Sequence, residues 1–464
     1  MADTSTALLI DFGSTYTKLR AVDLDQGKVL ASGQGPSTVT TDINEGMTAA
    51  LGDLESHMGR LPTFKHRFAS SSAAGGLKMV TIGLVKELTA EAARLAALGA
   101  GAKLSGTYAY RLTSDDVAAI ERTSPDILLL AGGTDGGNSA VLMHNCDALA
   151  KADISCPVVF AGNRTVADYA KETLSHKGRF LVCENVMPEF GQLNIEPARG
   201  AIREVFIDHI VHAKGIDKAA SAFDAVLMPT PAAVLEGAKL MSEGTANHEG
   251  LGPLIVVDVG GATTDIHSIA DGAPEKDGVV PIGLPEPRVK RTVEGDLGMR
   301  HNIDAIVEMA GLEALAGHAE LDETALSTIL DAYRADVERL PASDEEMRAD
   351  GALGYFAVKF AMSRHAGRTE VVQTVDGPKL ALRGKDLTGV PTVIGTGGVL
   401  VHGGYADRVL KGTIFDESDM HSLRPRNPRF LLDRGYMLYA VGLIGTVDPD
   451  AAFKLGRNSL ADAE

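Results

Sequence analysis

Positive charge is scarce in this sequence. Its 44 Lys and Arg stand against 62 Asp and Glu, a formal net charge of −18 with a pI near 5.2. The densest basic cluster is the short Arg288-Val289-Lys290-Arg291, whereas nucleic-acid binders generally present a basic face. Neither nucleic acid nor an anionic membrane is expected as a partner. Cysteine is rarer still. Cys146, Cys156 and Cys183 show no C-x-x-C spacing and leave one odd, which points to structural thiols in a reducing compartment rather than a disulfide frame or metal centre. The longest apolar run, Gly435–Val447, falls short of the ~20 residues that span a bilayer and reads as a buried helix. The opening MADTSTALLI has no basic region ahead of its apolar residues, so a signal peptide is not expected and a cytoplasmic protein is. Two nucleotide motifs are also missing. No G-x-x-x-x-G-K-[S/T] occurs, which excludes a P-loop NTPase. Gly395-Thr396-Gly397-Gly398-Val399-Leu400 lacks the final glycine of a dinucleotide fingerprint, and no ribose-reading acid follows closely. Histidines lie singly or in loose pairs such as His209/His212, with little to suggest a ligand role.

What is present is a hairpin, twice. Ala7-Leu8-Leu9-Ile10 is an apolar run suited to a buried strand. Asp11-Phe12-Gly13-Ser14-Thr15 supplies turn chemistry, and Thr17–Val22 alternates like a returning strand. Successive N–H groups at such a tip form a concave anion site, to which Lys18 adds a full charge. Asp11 is placed to organise a hydrated Mg²⁺, which takes one or two carboxylates together with phosphate oxygens. Residues 254–269, LIVVDVGGATTDIHSI, repeat the pattern: Asp258 aligns with Asp11, Gly260 with Gly13, Gly261 with Ser14 and Thr264 with Thr17. Such repetition implies duplicated domains facing one ligand.

A hydrophobic content of 45% with 23% charged residues describes a globular chain. At 464 residues it is long enough for two large domains, which we place at 1–250 and 253–464. Strands alternating with helices from 64 to 190 argue for an α/β sheet with loops at strand ends. Helices are expected at Asp42–Met58, Leu88–Leu98, Ser114–Glu121, Ala140–Lys151, Ile303–Ala310, Asp322–Val337 and Tyr355–His365, with Pro341–Asp350 an acidic connector. Thr230 and Pro231 mark a helix start, Thr230 as its cap. Ala131–Asn138, glycine-rich after an apolar strand, is either a ligand or interface loop or a plain turn.

The paired hairpins, followed by the strand and Gly-rich turn Pro391–Leu400, resemble the phosphate and adenosine motifs of the actin, hexokinase and Hsp70 ATPase superfamily. More particular stretches resemble a narrower group, the MutL/GlmL-type accessory proteins of adenosylcobalamin-dependent glutamate mutase. They are Ile10–Lys18, Ser70–Val80, Ile127–Asn138, Val159–Asn163, Asn185–Asn194, Met228–Leu240, Val257–Ser268, Lys290–Arg300 and Val393–His402. That resemblance implies an α/β fold of duplicated actin-like (ribonuclease H-like) ATPase domains with ATP or ADP and Mg²⁺ in the cleft between them. Gly13, Ser14, Thr15, Lys18, Gly260, Gly261, Thr263 and Thr264 would hold phosphate. Asp11 and Asp258 would serve metal and catalysis, and Gly395, Gly397 and Gly398 would face adenosine. Asp265 and Glu294 are candidate bases, or members of structural ion pairs. The partner implied is a cobalamin-dependent mutase, which the protein would maintain or reactivate by ATP turnover. Ser70–Lys78, Ala131–Asn138 and Lys290–Arg300, rich in small residues and mixed charge, suit a recognition surface. A homo-oligomer is compatible with all of this, and a small-metabolite kinase of the same fold is the alternative.

Overall fold

The structure, a computed structural model, describes residues 5–13, 16–38, 43–71, 77–213, 225–375 and 377–463. The chain divides into two compact units, Met1–Gly237 with Tyr439–Leu455, and Ala238–Leu438 with Gly456–Glu464.

The first unit opens with β1 (Thr6–Phe12), β2 (Tyr16–Asp23), β3 (Lys28–Pro36), the helix α1 (Ile43–Met58) and β4 (His66–Ser71). Every residue of β1 is buried, as its unbroken apolar run requires of a central strand. An inserted α/β layer follows: β5 (Lys78–Ile82), α2 (Glu91–Gly99), β6 (Lys103–Tyr108), α3 (Ser114–Thr123), β7 (Ile127–Leu130), α4 (Ala140–Lys151), β8 (Val158–Phe160), α5 (Ala167–Leu174), β9 (Phe180–Val182) and α6 (Glu196–Ala213). The chain then returns to the first sheet as β10 (Ala225–Pro229) before α7 (Thr230–Glu243).

That first sheet runs β10-β4-β1-β2-β3, with β1, β4 and β10 parallel and β1-β2-β3 an antiparallel meander. The inserted sheet runs β6-β5-β7-β8-β9 and is parallel throughout. Its core packs Val80, Ile82, Leu128, Leu130 and Phe160 against Leu142, Cys146, Leu149 and Val166.

The second unit contains β11 (Leu254–Val259), β12 (Thr264–Ile269), β13 (Val280–Ile282) and β14 (Val289–Glu294). The helices α8 (Ile303–Ala310), α9 (Leu312–Ala319), α10 (Glu323–Ala335) and α11 (Asp344–His365) come next. They are followed by β15 (Arg368–Thr374), β16 (Gly377–Arg383), β17 (Thr392–Thr396), α12 (Gly398–His402), β18 (Arg429–Asp433) and β19 (Leu460–Asp462). The main sheet, β14-β12-β11-β17-β18-β19, has an antiparallel β11-β12-β14 meander and parallel β11, β17 and β18. Strand for strand this repeats the first sheet, with β19 added at the edge. The repeat in sequence is therefore a repeat in topology, the signature of duplicated ribonuclease H-like domains.

Pro341–Asp350, read as a connector, is largely helix. Ser343 caps α11 by accepting from the Glu346 amide at 3.2 Å, and Asp344, Glu345 and Glu346 occupy its first turn. Negative charge there is favoured by the helix dipole, so this acidic run starts a helix. Gly435–Val447 contains a buried helix as expected, at Leu438–Gly445. No helix among the described residues is long and apolar enough to cross a membrane.

Candidate functional site

In the first unit the central strand delivers Asp11 to the hairpin tip. Cross-strand register sets Asp11 opposite Lys18 on β2 and beside Ser70 on β4. Directly paired residues share a face of the sheet, so the three side chains rise together. The Ser70 hydroxyl donates to Asp11 Oδ1 at 3.0 Å and the Thr230 hydroxyl to the same oxygen at 2.6 Å. The second oxygen, Oδ2, makes no hydrogen bond among the described residues. Thr230, expected to cap α7, is instead the helix's first residue and gives its proton to Asp11. The Gly13 amide closes the turn onto the Tyr16 carbonyl at 3.0 Å, and the Gly13 carbonyl accepts from the Ser37 hydroxyl at 2.8 Å. Ser14, Thr15 and the loop residues 72–76 lie outside the described residues.

The second unit builds the same row with different side chains. Asp258 takes the place of Asp11, Asp265 that of Lys18 and Thr396 that of Ser70. The Gly260 amide closes its turn onto the Thr263 carbonyl at 2.9 Å. The next three amides, of Gly261, Ala262 and Thr263, donate to nothing among the described residues. Gly261 and Ala262 are exposed, and a run of unpaired N–H groups is a ready anion site. Thr264 is buried, its hydroxyl donating to the Leu297 carbonyl at 2.7 Å.

Residues 295–302 brace this hairpin from one side. Met299 donates to the Gly260 carbonyl, Arg300 and His301 to that of Gly261, and the Asn302 side chain to Ala262. A Cβ at Gly298 would stand 2.3 Å from the Ala262 carbonyl carbon, so only glycine permits the contact. Lys290–Arg300, read as recognition surface, is thus mainly a support. Its cations are consumed internally: Lys290 pairs with Glu286 at 3.0 Å and Arg300 with Asp350 at 2.8 Å. Asp265 forms a buried pair with Arg291 at 2.6 Å and accepts from Thr263, while Glu294 pairs with Arg364 at 2.7 Å. Both candidate bases are held as ion-pair members.

The Gly-rich turn after β17 divides in its roles. The missing side chain of Gly395 faces Leu400 and Leu410 at about the 3.1 Å where a Cβ would touch them. Gly397, at φ 99°, passes so close to β11 that a Cβ would lie 2.3 Å from the Val259 carbonyl oxygen and 3.0 Å from Asp258 Oδ1. Gly398 opens α12 beneath the hydroxyl of Tyr436. Tyr436 itself sits at φ 53°, a left-handed conformation uncommon for an aromatic residue, and the sequence carries no sign of it. Asp433 completes the row. It is buried, accepts from the Met437 and Leu438 amides at 2.8 and 3.0 Å, and is raised above the usual carboxylate range chiefly by burial.

The family model described as MutL protein matches residues 7–460. The chain belongs to the MutL family. It is 46% identical over 456 residues to "Protein MutL" of Clostridium tetanomorphum, covering 98% of each chain. Among solved structures it is distantly similar to the activator of the 2-hydroxyisocaproyl-CoA dehydratase from Clostridium difficile with bound ADPNP: 10% identity, 98% of this chain, 96% of that one, TM-score 0.32. A xylulose kinase from Bifidobacterium adolescentis is similarly remote, at 12% identity, 97% and 93% coverage and TM-score 0.33.

In this MutL-family chain no group of three or more His, Cys, Asp or Glu among the described residues is arranged to hold a metal by itself. A single carboxylate with a free oxygen nevertheless suits Mg²⁺, which keeps several waters and draws other ligands from phosphate. The thiols take no part. Burial pushes Cys146 and Cys183 up to about 12 and Cys156 to about 11, so all three stay protonated.

Proposed function

We propose that this MutL-family protein is a cytoplasmic ATPase that binds Mg-ATP at its Asp-led hairpins and uses turnover to maintain or reactivate an adenosylcobalamin-dependent mutase of the glutamate mutase type. The observation that carries the nucleotide reading is the run of amides at Gly261–Thr263, unpaired among the described residues, one turn beyond Asp258. Those amides, that of Thr263 included, would donate to phosphate oxygens, with Gly260 contributing room, while the Thr263 hydroxyl stays on Asp265. Gly13 and Lys18 would act likewise beside Asp11, together with Ser14 and Thr15. Asp11, fixed through Oδ1, would use Oδ2 to accept from metal-bound water, and Asp258 would serve the same end. Bound Mg²⁺ would supply the charge neutralisation that phosphoryl transfer demands. Gly398 and the backbone of Gly397 would face the nucleoside, with the close packing of Gly397 on β11 and of Gly395 on Leu400 and Leu410 fixing that turn.

Family membership supports the mutase as partner. Nucleotide can drive remodelling of a partner only as far as the two nucleotide states bind its conformations unequally. Affinity for the mutase should therefore differ between the ATP and ADP states. The test starts from a mutase inactivated with cyanocobalamin, to which the protein, Mg-ATP and adenosylcobalamin are added. Recovery that requires hydrolysis and is lost in Asp258→Ala supports the reading. Failure to recover with the cognate mutase, together with phosphorylation of a small molecule, replaces it with a kinase.

A further inference from the structure

The inserted layer carries a cavity of about 350 Å³ that the nucleotide reading does not use. It lies at the carboxyl ends of β8 and β9, where open α/β sheets place their ligands. Ala167, Val182 and Pro188 supply apolar surface over the buried Phe160, and Asp135, Arg164 and Glu184 bring charge of both signs to it.

The cavity is built by hydrogen bonds that join three loops. Asp135, from the Gly-rich loop after β7, accepts through Oδ1 from the Arg164 amide at 3.0 Å and from the Asn185 side chain at 3.0 Å. Its own amide donates to the Pro188 carbonyl at 2.9 Å. Buried Asn163 binds the same loop through the Gly136 amide and the Gly137 carbonyl. Ala131–Asn138, open in sequence to either a ligand loop or a plain turn, is therefore tied by hydrogen bonds into one wall of the recess.

Charged atoms at the recess have capacity to spare. The Arg164 guanidinium enters no ion pair among the described residues, and Asp135 Oδ2 makes no hydrogen bond among them. Glu184 accepts only from Asn194, at 3.0 Å, among them. A cation with no ion-pair partner among the described residues and acids with spare acceptors, set around an apolar floor, match a molecule bearing both charges on a hydrocarbon body. A simple anion would meet the acids, and a simple cation would meet Arg164. We infer that this recess binds a small zwitterion, its carboxylate on Arg164, its ammonium on Asp135 and Glu184, and its aliphatic part on Ala167 and Val182. The volume sits at the small end of the ~300–1,000 Å³ range of ligand sites. It suits a metabolite of a few carbons rather than a nucleotide.

The full-length protein is titrated calorimetrically with L-norleucine, hexanoate and hexylamine, which share a chain and differ in their charges. At about 10 mM ligand even a site of roughly 1 mM affinity fills. Saturable norleucine binding is expected, with both single-charge analogues about tenfold or more weaker, since each lost charged hydrogen bond costs that much. Arg164→Gln should remove the advantage over hexylamine. Ala167→Leu, which fills the recess and leaves every charge in place, should abolish binding while the circular dichroism spectrum stays unchanged. Equal binding of all three, tighter binding of either analogue, insensitivity to both variants, or no saturable binding by any would each overturn the assignment. None of these outcomes bears on nucleotide binding at the hairpins.

Discussion

Thr230 donates its hydroxyl proton to Asp11 Oδ1 across 2.6 Å, joining residues 219 positions apart in the chain. Ser70 reaches the same oxygen from 59 positions away. The carboxylate at the first hairpin is thus oriented by Ser70 at the end of β4 and by Thr230, which begins α7.

Removing the Thr230 donor should loosen Asp11 without unfolding the sheet. A hydrogen bond to a charged group contributes about 1.5–3 kcal/mol. Thr230→Val should therefore weaken Mg-ATP binding about tenfold or more by isothermal titration, with Thr230→Ser close to wild type. Equal affinity in Thr230→Val and wild type would remove Asp11 from the nucleotide's surroundings.

The brace behind the second hairpin makes a sharper case. Gly298→Ala must displace the Ala262 backbone, whereas Gly295→Ala meets nothing within 4 Å. Overpacking of this kind costs about 1–3 kcal/mol, and here it falls on the segment that carries the Gly261–Thr263 amides. Nucleotide affinity should drop in Gly298→Ala and hold in Gly295→Ala. Identical behaviour of the two variants would show that the brace does not set the hairpin.

These relationships differ in how far the sequence reveals them. The hairpins are legible because Asp-x-Gly, a turn and alternating flanks are local signals, and α4 emerges at the expected Ala140–Lys151. Ser70 and Thr230 are not, because only sheet order brings them beside Asp11. Thr230 was open to a complete local explanation as a cap, which hid its distant one. The charges of Lys290–Arg300 misled in a similar way, since sequence shows the cations but not the carboxylates that meet them. The return of Tyr439–Leu455 to the first unit leaves no mark that periodicity could detect.

Breaking the Arg291–Asp265 pair tests whether it is structural. Both side chains are buried, and the guanidinium donates through Nε at 2.9 Å as well as through its terminal nitrogen at 2.6 Å. Loss of one partner from such a pair leaves an uncompensated charge and costs about 3–5 kcal/mol. Arg291→Met should lower the urea midpoint strongly, and adding Asp265→Asn should recover part of the loss. A single variant as stable as wild type would return Asp265 to consideration as a base.

Lys385, a fully buried lysine, makes the stability of the fold depend on pH. Its ammonium reaches the Arg288 carbonyl at 2.8 Å and the Ser268 hydroxyl at 3.3 Å. Around it lie Lys290, Arg288, Glu286 and Asp271. Burial first, and then repulsion from Lys290, lowers its pKa from 10.5 to about 7. The sign follows from proton counting. Below about 7 both folded and unfolded chains hold the proton, and the folded state carries the whole cost of burying it. Between about 7 and 10.5 the unfolded chain still binds a proton that the folded chain has released, so stability rises with pH. Above 10.5 neither state holds it and the contribution levels off. Lys385→Met removes this titration while keeping similar volume. The unfolding free energy of wild type minus that of the variant should therefore climb from neutral pH towards 10, by at most about 1.4 kcal/mol per pH unit. Urea unfolding at a series of pH values measures that difference, and a flat one would mean that Lys385 keeps its proton in the folded protein.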